Sequence, residues 1–240
     1  MAIKRTSRLV VEVRREKNWF HFNDVKGLLV DASASLGFEK IKLTEGAFTV
    51  ATPDERKKIF MSTANLGIQC EAFGDLDQTS ELLDDLFKLI NENKLFESLK
   101  SVSRVGTKLT TLYSPRTEDF NKVKRRFRDK LMKNYIDVED ELGVSLNDYA
   151  FESFNAKYEN RDLSLLLGPV TIEEAIARFF QESFYLADFG VKTGYLADFD
   201  LSLSSKKISS VSQLRELLDK NIDYLRQLKG NFEDTFSNVS

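Results

Sequence analysis

The stretch Val191-Lys192-Thr193-Gly194-Tyr195-Leu196-Ala197-Asp198-Phe199-Asp200-Leu201-Ser202-Leu203 decides the fold. Val191, Thr193, Tyr195, Ala197, Phe199, Leu201 and Leu203 fall on one side of an extended chain. Lys192, Gly194, Asp198, Asp200 and Ser202 fall on the other, with Leu196 the one apolar exception. This alternation marks a half-buried strand of an antiparallel sheet, one face against a core and the other free. A helix follows it. Ser210 and Gln213 form a capping box, and Leu214, Leu218, Leu225, Leu228 and Phe232 make its inner stripe.

Upstream of this strand the pattern predicts a strand over Val102–Tyr113, closed by Ser114-Pro115, and a helix with Phe120, Val123, Phe127 and Leu131 on one face. Strands over Tyr149–Tyr158 and Asp162–Leu167 follow, the latter ended by Gly168-Pro169. Thr171 and Glu174 then form a capping box for a short helix with Ile172, Ile176, Phe179 and Phe180 inward.

The first half shows a similar order. Leu9-Val10-Val11-Glu12-Val13 is a β-branched run. Asn23 reads as the N-cap of a helix carrying Val25, Leu28, Leu29, Ala32 and Leu36, stopped by Gly37. Strands are expected over Ala47–Thr52, Lys58–Ser62 and Leu66–Phe73. A helix over Thr79–Asn93 has Leu82, Leu83, Leu86, Phe87 and Ile90 as its core stripe.

These elements predict an α+β fold of two tandem β-α-β-β-β-α units, residues 1–98 and 99–240, the second with an extra short helix over 171–182. Helices would cover one face of the antiparallel sheets. The sheets would join edge to edge into one continuous curved sheet with pseudo-twofold symmetry.

Composition excludes several classes. With 42% hydrophobic and 30% charged residues the chain is an ordinary globular one, and 240 residues bury a core without staples. Cys70 is the single cysteine, so no intrachain disulfide forms. Its setting, Ile68-Gln69-Cys70-Glu71-Ala72, places an inert thiol on the apolar side of a strand. No apolar run approaches the ~18 residues of a membrane span. The start, Met1-Ala2-Ile3-Lys4-Arg5, lacks the apolar core of a signal peptide, which predicts a cytoplasmic protein away from membranes.

The net charge of −3 conceals a basic segment over 116–133. There Arg116, Lys122, Lys124, Arg125, Arg126, Arg128, Lys130 and Lys133 meet only Glu118, Asp119 and Asp129. Such a helix face can follow a phosphate backbone, dock an acidic protein surface, or serve as a solvated face. Arg104 and Lys108 share a strand face across Gly106, and Arg14 on the first strand joins them in a small cationic spot. Cross-strand pairing with Asp198 or Asp200 accounts for the same residues.

Asp198 and Asp200 project from one strand face, a spacing that holds Mg²⁺ in phosphoryl-transfer sites when a third carboxylate joins, here Asp188 or Glu152. No Gly-rich loop precedes a helix to hold phosphate, so no cofactor is expected, and a solvated polar face explains the pair equally well. His21, the only histidine, sits just before the first helix in Trp19-Phe20-His21-Phe22. With no Cys cluster it makes no ordinary zinc site and reads as a polar loop residue. Tyr149, Phe151 and Phe154 lie on one strand, Phe151 and Phe154 on opposite sides. They serve either core packing or base stacking.

Two stretches, Val102-Ser103-Arg104-Val105-Gly106-Thr107-Lys108 and Tyr195-Leu196-Ala197-Asp198-Phe199-Asp200-Leu201 with the helix ending at Phe232, resemble a sporadically distributed, functionally uncharacterised family of bacterial proteins. The first is similar to that family's Arg-x-Gly-x-Arg strand, with Lys108 in place of the second Arg. The second is similar to its Leu-Asp-Leu-Asp strand and long terminal helix. The Trp and His of that helix are absent, Leu217 and Asn221 standing near their places. The resemblance implies architecture, and by its distribution a partner among toxins or defence effectors. The expected function is a non-catalytic interaction protein presenting a sheet and a basic helix face to a protein partner, with self-association. The alternatives are a nucleic-acid binder through 122–133 and a metal-dependent phosphodiesterase or nuclease around Asp198 and Asp200.

Overall fold

The computed structural model describes residues 4–73, 75–92, 102–114, 119–132, 151–180, 190, 192–204 and 208–237. In chain order they form β1 (Lys4–Arg15), α1 (Trp19–Ala34), β2 (Lys40–Leu43), β3 (Ala47–Ala51), β4 (Lys57–Ser62), β5 (Asn65–Phe73) and α2 (Ser80–Glu92). Then come β6 (Val102–Ser114), α3 (Phe120–Leu131), β7 (Glu152–Tyr158), β8 (Arg161–Thr171), α4 (Ile172–Phe179), β9 (Thr193–Ser204) and α5 (Val211–Ser237). The fold is α+β.

All nine strands join one antiparallel sheet in the order β2-β3-β4-β5-β1-β6-β9-β8-β7. Its centre is the β1–β6 pair, which runs from Lys4 opposite Ser114 to Arg15 opposite Val102. From this pair the order runs outward as β5-β4-β3-β2 on one side and β9-β8-β7 on the other. Residues 1–98 and 99–240 thus share a single sheet.

One face of the sheet is apolar because the β-branched and aromatic positions of each strand fall in step. Leu9, Val11 and Val13 of β1, Leu109 and Val105 of β6, and Tyr195, Phe199 and Leu201 of β9 are all buried there. Four helices, α1, α2, α3 and α5, cover this face and complete the main core. The stripes of α2 and α5 are those of the sequence, among them Leu82, Leu83, Leu86 and Ile90 on α2 and Leu214, Leu218 and Leu225 on α5, whereas Leu28 of the expected α1 stripe is 57% exposed.

The short α4 departs from the expected one-sided arrangement. It packs on the opposite face, where Ala175 and Phe180 bury against Leu112, Val170 and Leu196. Leu196, the apolar exception of the β9 pattern, is the place where this helix lands.

Other expectations are corrected. Lys40-Ile41-Lys42-Leu43 is a strand that the pattern did not reveal, so the first half has the order β-α-β-β-β-β-α. Helix α1 begins at Trp19, so Asn23 lies within it and is not its cap, and His21 sits in its first turn and not in a loop. Strand β8 runs through Gly168-Pro169 and does not end there. Strand β7 pairs with β8 only as far as Leu167, so the amide that Pro169 lacks is needed by no described neighbour. Leu131 is 40% exposed, and α3 is held instead by Val123 and Phe127. Thr171 caps α4 by accepting from the Glu174 amide, and Ser210 caps α5 by accepting from that of Gln213.

Candidate interaction surfaces

The face opposite the main core carries a polar grid set by strand register. One row across it is Gln69, Val10, Lys108, Asp200, Ser164 and Asn155, and the next is Glu71, Arg8, Thr110, Asp198 and Leu166. A third row places Arg14 opposite Arg104. The expected cationic spot of Arg14, Arg104 and Lys108 is therefore on one face, yet each cation is engaged. Arg104 pairs with Asp200 at 2.9 Å, Lys108 with Asp198 at 2.8 Å, and Arg14 with Glu12. Cross-strand pairing accounts for Arg104 and Lys108, and a carboxylate two residues away on β1 accounts for Arg14.

Arg8 ties α4 to this face. It donates to the Phe179 carbonyl and to Gln69 Oε1, both at 2.9 Å, beside Glu71 at 3.6 Å. A cation at the carbonyl end of a helix is favourably placed against its dipole. Toward the β7 edge lies a groove of about 480 Å³, floored by Ser164, Ser202 and Asp200 and rimmed by Arg104, Asn155 and Lys157.

Asp198 and Asp200 do face the same side. Asp198 accepts from Lys108 and, at 2.6 Å, from the Thr110 hydroxyl, so a divalent ion would have to displace cations already bound. Glu152 pairs with Leu167, whose side chain packs on the main core, and so points from the other face. Among the described residues no group of three or more His, Cys, Asp or Glu is placed to hold a metal ion. Asp188, Lys133 and Tyr149 lie outside the described residues, as does the side chain of His21.

The basic helix is on the other side of the molecule. Helix α3 packs through Val123 and Phe127 on the face that carries Tyr195, with Phe127 stacked 6.5 Å from Tyr195 and 6.1 Å from Phe236. Its N-cap is Asp119, which accepts from the amides of Asn121 and Lys122 at 3.0 and 3.4 Å. Lys122 approaches Asp119 at 3.9 Å, Lys124 lies 5.2 Å over the Phe120 ring, and Arg128 pairs with Asp129 at 3.1 Å. Among the described residues Arg125, Arg126 and Lys130 make no ion pair. The sheet cations and the helix cations therefore form two separate surfaces and not one patch.

Phe151 and Phe154 point to opposite sides, as the alternation predicts. Phe151 lies over Gly168 and against Phe179, with ring centroids 5.2 Å apart, and Arg178 stacks on it. Phe154 is left 49% exposed on the helix-bearing side of the edge strand. Cys70 is buried beside Leu9, and burial pushes its thiol up to about 11.

Arg8, Glu12, Gln69, Glu71, Asn155 and Ser164 carry no signal in the sequence as members of a site. None belongs to a local motif, and only the pairing register brings them together.

No family model matches the chain, and no characterised protein was found to match it. Among the described residues no helix is long and apolar enough to cross a membrane.

Proposed function

We propose that this chain is a non-catalytic interaction protein whose cationic helix α3 docks an acidic protein surface. The observation that carries the reading is the contrast between the two basic surfaces. The cations of the open sheet face are neutralised by Asp198, Asp200 and Glu12, whereas Arg125, Arg126 and Lys130 of α3 have no anionic partner among the described residues. Charge that the described residues leave unpaired, on a helix that already buries its apolar stripe, is available to a partner without breaking a contact among those residues.

The exposed Leu131 at the end of the same helix favours protein over nucleic acid. A phosphate backbone rewards charge alone, while a protein surface also buries apolar area.

The test is fluorescence anisotropy with two probes, an acidic peptide and a mixed-sequence oligonucleotide, at low and near-physiological salt. The comparison is between the native chain and Lys122→Glu/Arg125→Glu/Arg126→Glu. The expected result is peptide binding that is lost in the charge-reversed variant while far-UV circular dichroism is unchanged. Oligonucleotide binding that falls steeply with salt and vanishes in the variant would transfer the surface to nucleic acid. Peptide binding that survives the reversal would remove α3 as the docking element.

A further inference from the structure

Every antiparallel sheet that does not close has two edges, and each exposes a row of unpaired amides and carbonyls. Here the edges are β2 and β7. They are built differently. Strand β2 is four residues long and alternates Lys40 and Lys42 with its exposed Ile41 and Leu43. Shortness and interleaved lysines are the usual devices that discourage a further strand from adding.

Strand β7 lacks them. It is seven residues long, its five middle residues are all exposed, and its one lysine, Lys157, is paired with Asp162 across the β8 hairpin. Its outward backbone meets no other strand among the described residues. Phe154 stands exposed at its middle on the helix-bearing side.

The neighbourhood of β7 is also distinctive. Among the described residues its one sheet neighbour is β8, on which α3 packs. Phe154 and the cations of α3 are therefore on the same side of the sheet and at the same end. A chain added outside β7 would lay alternate side chains toward Phe154 and that cationic helix, and the others toward Asn155 and Lys157 at the rim of the groove.

We infer that the free edge of β7 accepts an extended acidic segment of the protein partner as an added strand, with an apolar residue on Phe154 and carboxylates toward α3. This rests on the docking role of α3 and states how the partner binds. Main-chain hydrogen bonds to the β7 backbone supply affinity, and the cations with Phe154 supply selection.

The donors of a strand alternate, so of the adjacent residues Phe154 and Asn155 one points its N–H outward and the other toward β8. Proline at the outward position removes an edge donor and leaves the β7–β8 ladder whole, and proline at the other breaks the ladder. The probe is a labelled peptide, acetyl-Glu-Thr-Glu-Thr-Val-Thr-Glu-amide, whose Val and Glu side chains share one face of an extended chain. A second version is N-methylated at alternate residues so that it cannot pair along one side. Anisotropy is measured with the native chain, Phe154→Pro, Asn155→Pro and the α3 charge reversal.

The expected result is that N-methylation weakens binding by about tenfold or more, and that one proline variant keeps the native circular dichroism yet loses binding to a similar extent. Equal affinity for the plain and N-methylated peptides overturns the inference whether or not a proline variant folds. Binding that depends on α3 but not on the edge leaves the docking role of α3 intact and removes β7. Sedimentation showing a dimer of the free chain that the folded proline variant abolishes would assign the edge to a second copy and equally overturn it.

Discussion

Arg104 lies across Gly106 and donates from one nitrogen to both carboxylate oxygens of Asp200, at 2.9 and 3.1 Å. In the ladder Arg104 is opposite Ser204 and Asp200 is opposite Lys108, so the guanidinium must travel along its own strand to reach the carboxylate. The absence of a side chain at Gly106 is what opens that path. A Cβ there would sit 3.2 Å from Nη1 and 3.3 Å from Cζ of Arg104. In an element interior Ala ordinarily gains about 0.5–1 kcal/mol over Gly. Gly106→Ala should show that gain in an Arg104→Ala background and lose most of it in the native one, where the guanidinium is pushed aside. Urea denaturation of the four members of this cycle measures it. Equal effects in both backgrounds would mean that Gly106 does not govern the pair.

The two aspartates of β9 should respond unequally to neutralisation. Asp198 is mostly buried and accepts from both Lys108 and Thr110, so Asp198→Asn should destabilise by about 1.5–3 kcal/mol, the range for hydrogen bonds to a charged group. The Asp200 carboxylate is 37% exposed, and Asp200→Asn should cost under about 1 kcal/mol. Because both are held by cations, millimolar Mg²⁺ should leave the melting temperature unchanged. A Mg²⁺-dependent rise in melting temperature that Asp198→Asn abolishes would favour the phosphodiesterase reading.

Alkali should unfold the protein through two buried groups. Burial pushes the Cys70 thiol from 9.0 to about 11 and the Tyr195 phenol from 10.0 to about 12. Both are neutral when folded and ionise more readily when unfolded. Their contribution is therefore whole below pH 9 and is lost progressively as pH rises through about 11 and about 12. Melting temperature should hold to about pH 8.5 and then fall, and the fall should be shallower in Cys70→Ala and Tyr195→Phe. Native protein at pH 8 should also resist a thiol reagent that labels Cys70 after denaturation. An unaltered alkaline slope in both variants would contradict this account.

The parts of the fold that were legible in sequence are those written within one element. The alternation of β9, the stripes of α2 and α5 and the caps at Thr171 and Ser210 are local patterns, and each element formed where its pattern stood. What failed was what a neighbour decides. Pro169 reads as a strand end until the register shows that β7 stops short of it. Leu196 reads as an irregularity until α4 is seen to pack on that face. Lys40–Leu43 is too short for its alternation to stand out. For the candidate surfaces the basic run of α3 was plain, but its placement on the side opposite Arg104 and Lys108 depends on which face of the sheet each element meets. No spacing within the run encodes that.

Asn221 should prove the most sensitive polar residue of the terminal helix. It is buried, accepts from Arg161 Nε at 2.7 Å and donates to the Thr107 hydroxyl at 3.1 Å, tying α5 to β8 and β6. Asn221→Leu would leave the buried Arg161 guanidinium with Glu159 as its remaining partner. The expected loss is about 2–3 kcal/mol, near the upper range for stranding a buried polar group. Thermal melting of Asn221→Leu and of Asn221→Leu/Arg161→Met measures it. The double variant should regain part of the loss, because it removes the stranded charge together with its partner.

Arg15 presents the opposite case, a buried charge with no hydrogen-bond partner among the described residues. Its Nε, Nη1 and Nη2 are all buried and unbonded, while its backbone amide is held by the Ala64 carbonyl at 2.8 Å. An unpaired guanidinium out of water lowers stability, whereas its aliphatic stem packs like a hydrophobe. Arg15→Met keeps the stem and removes the charge, and so should raise stability by about 1–3 kcal/mol. Arg15→Lys keeps a charge and should bring no such gain. Equilibrium unfolding in urea of both variants decides the matter. A loss of stability in Arg15→Met would show that the guanidinium has an acceptor in solution and is not a stranded charge.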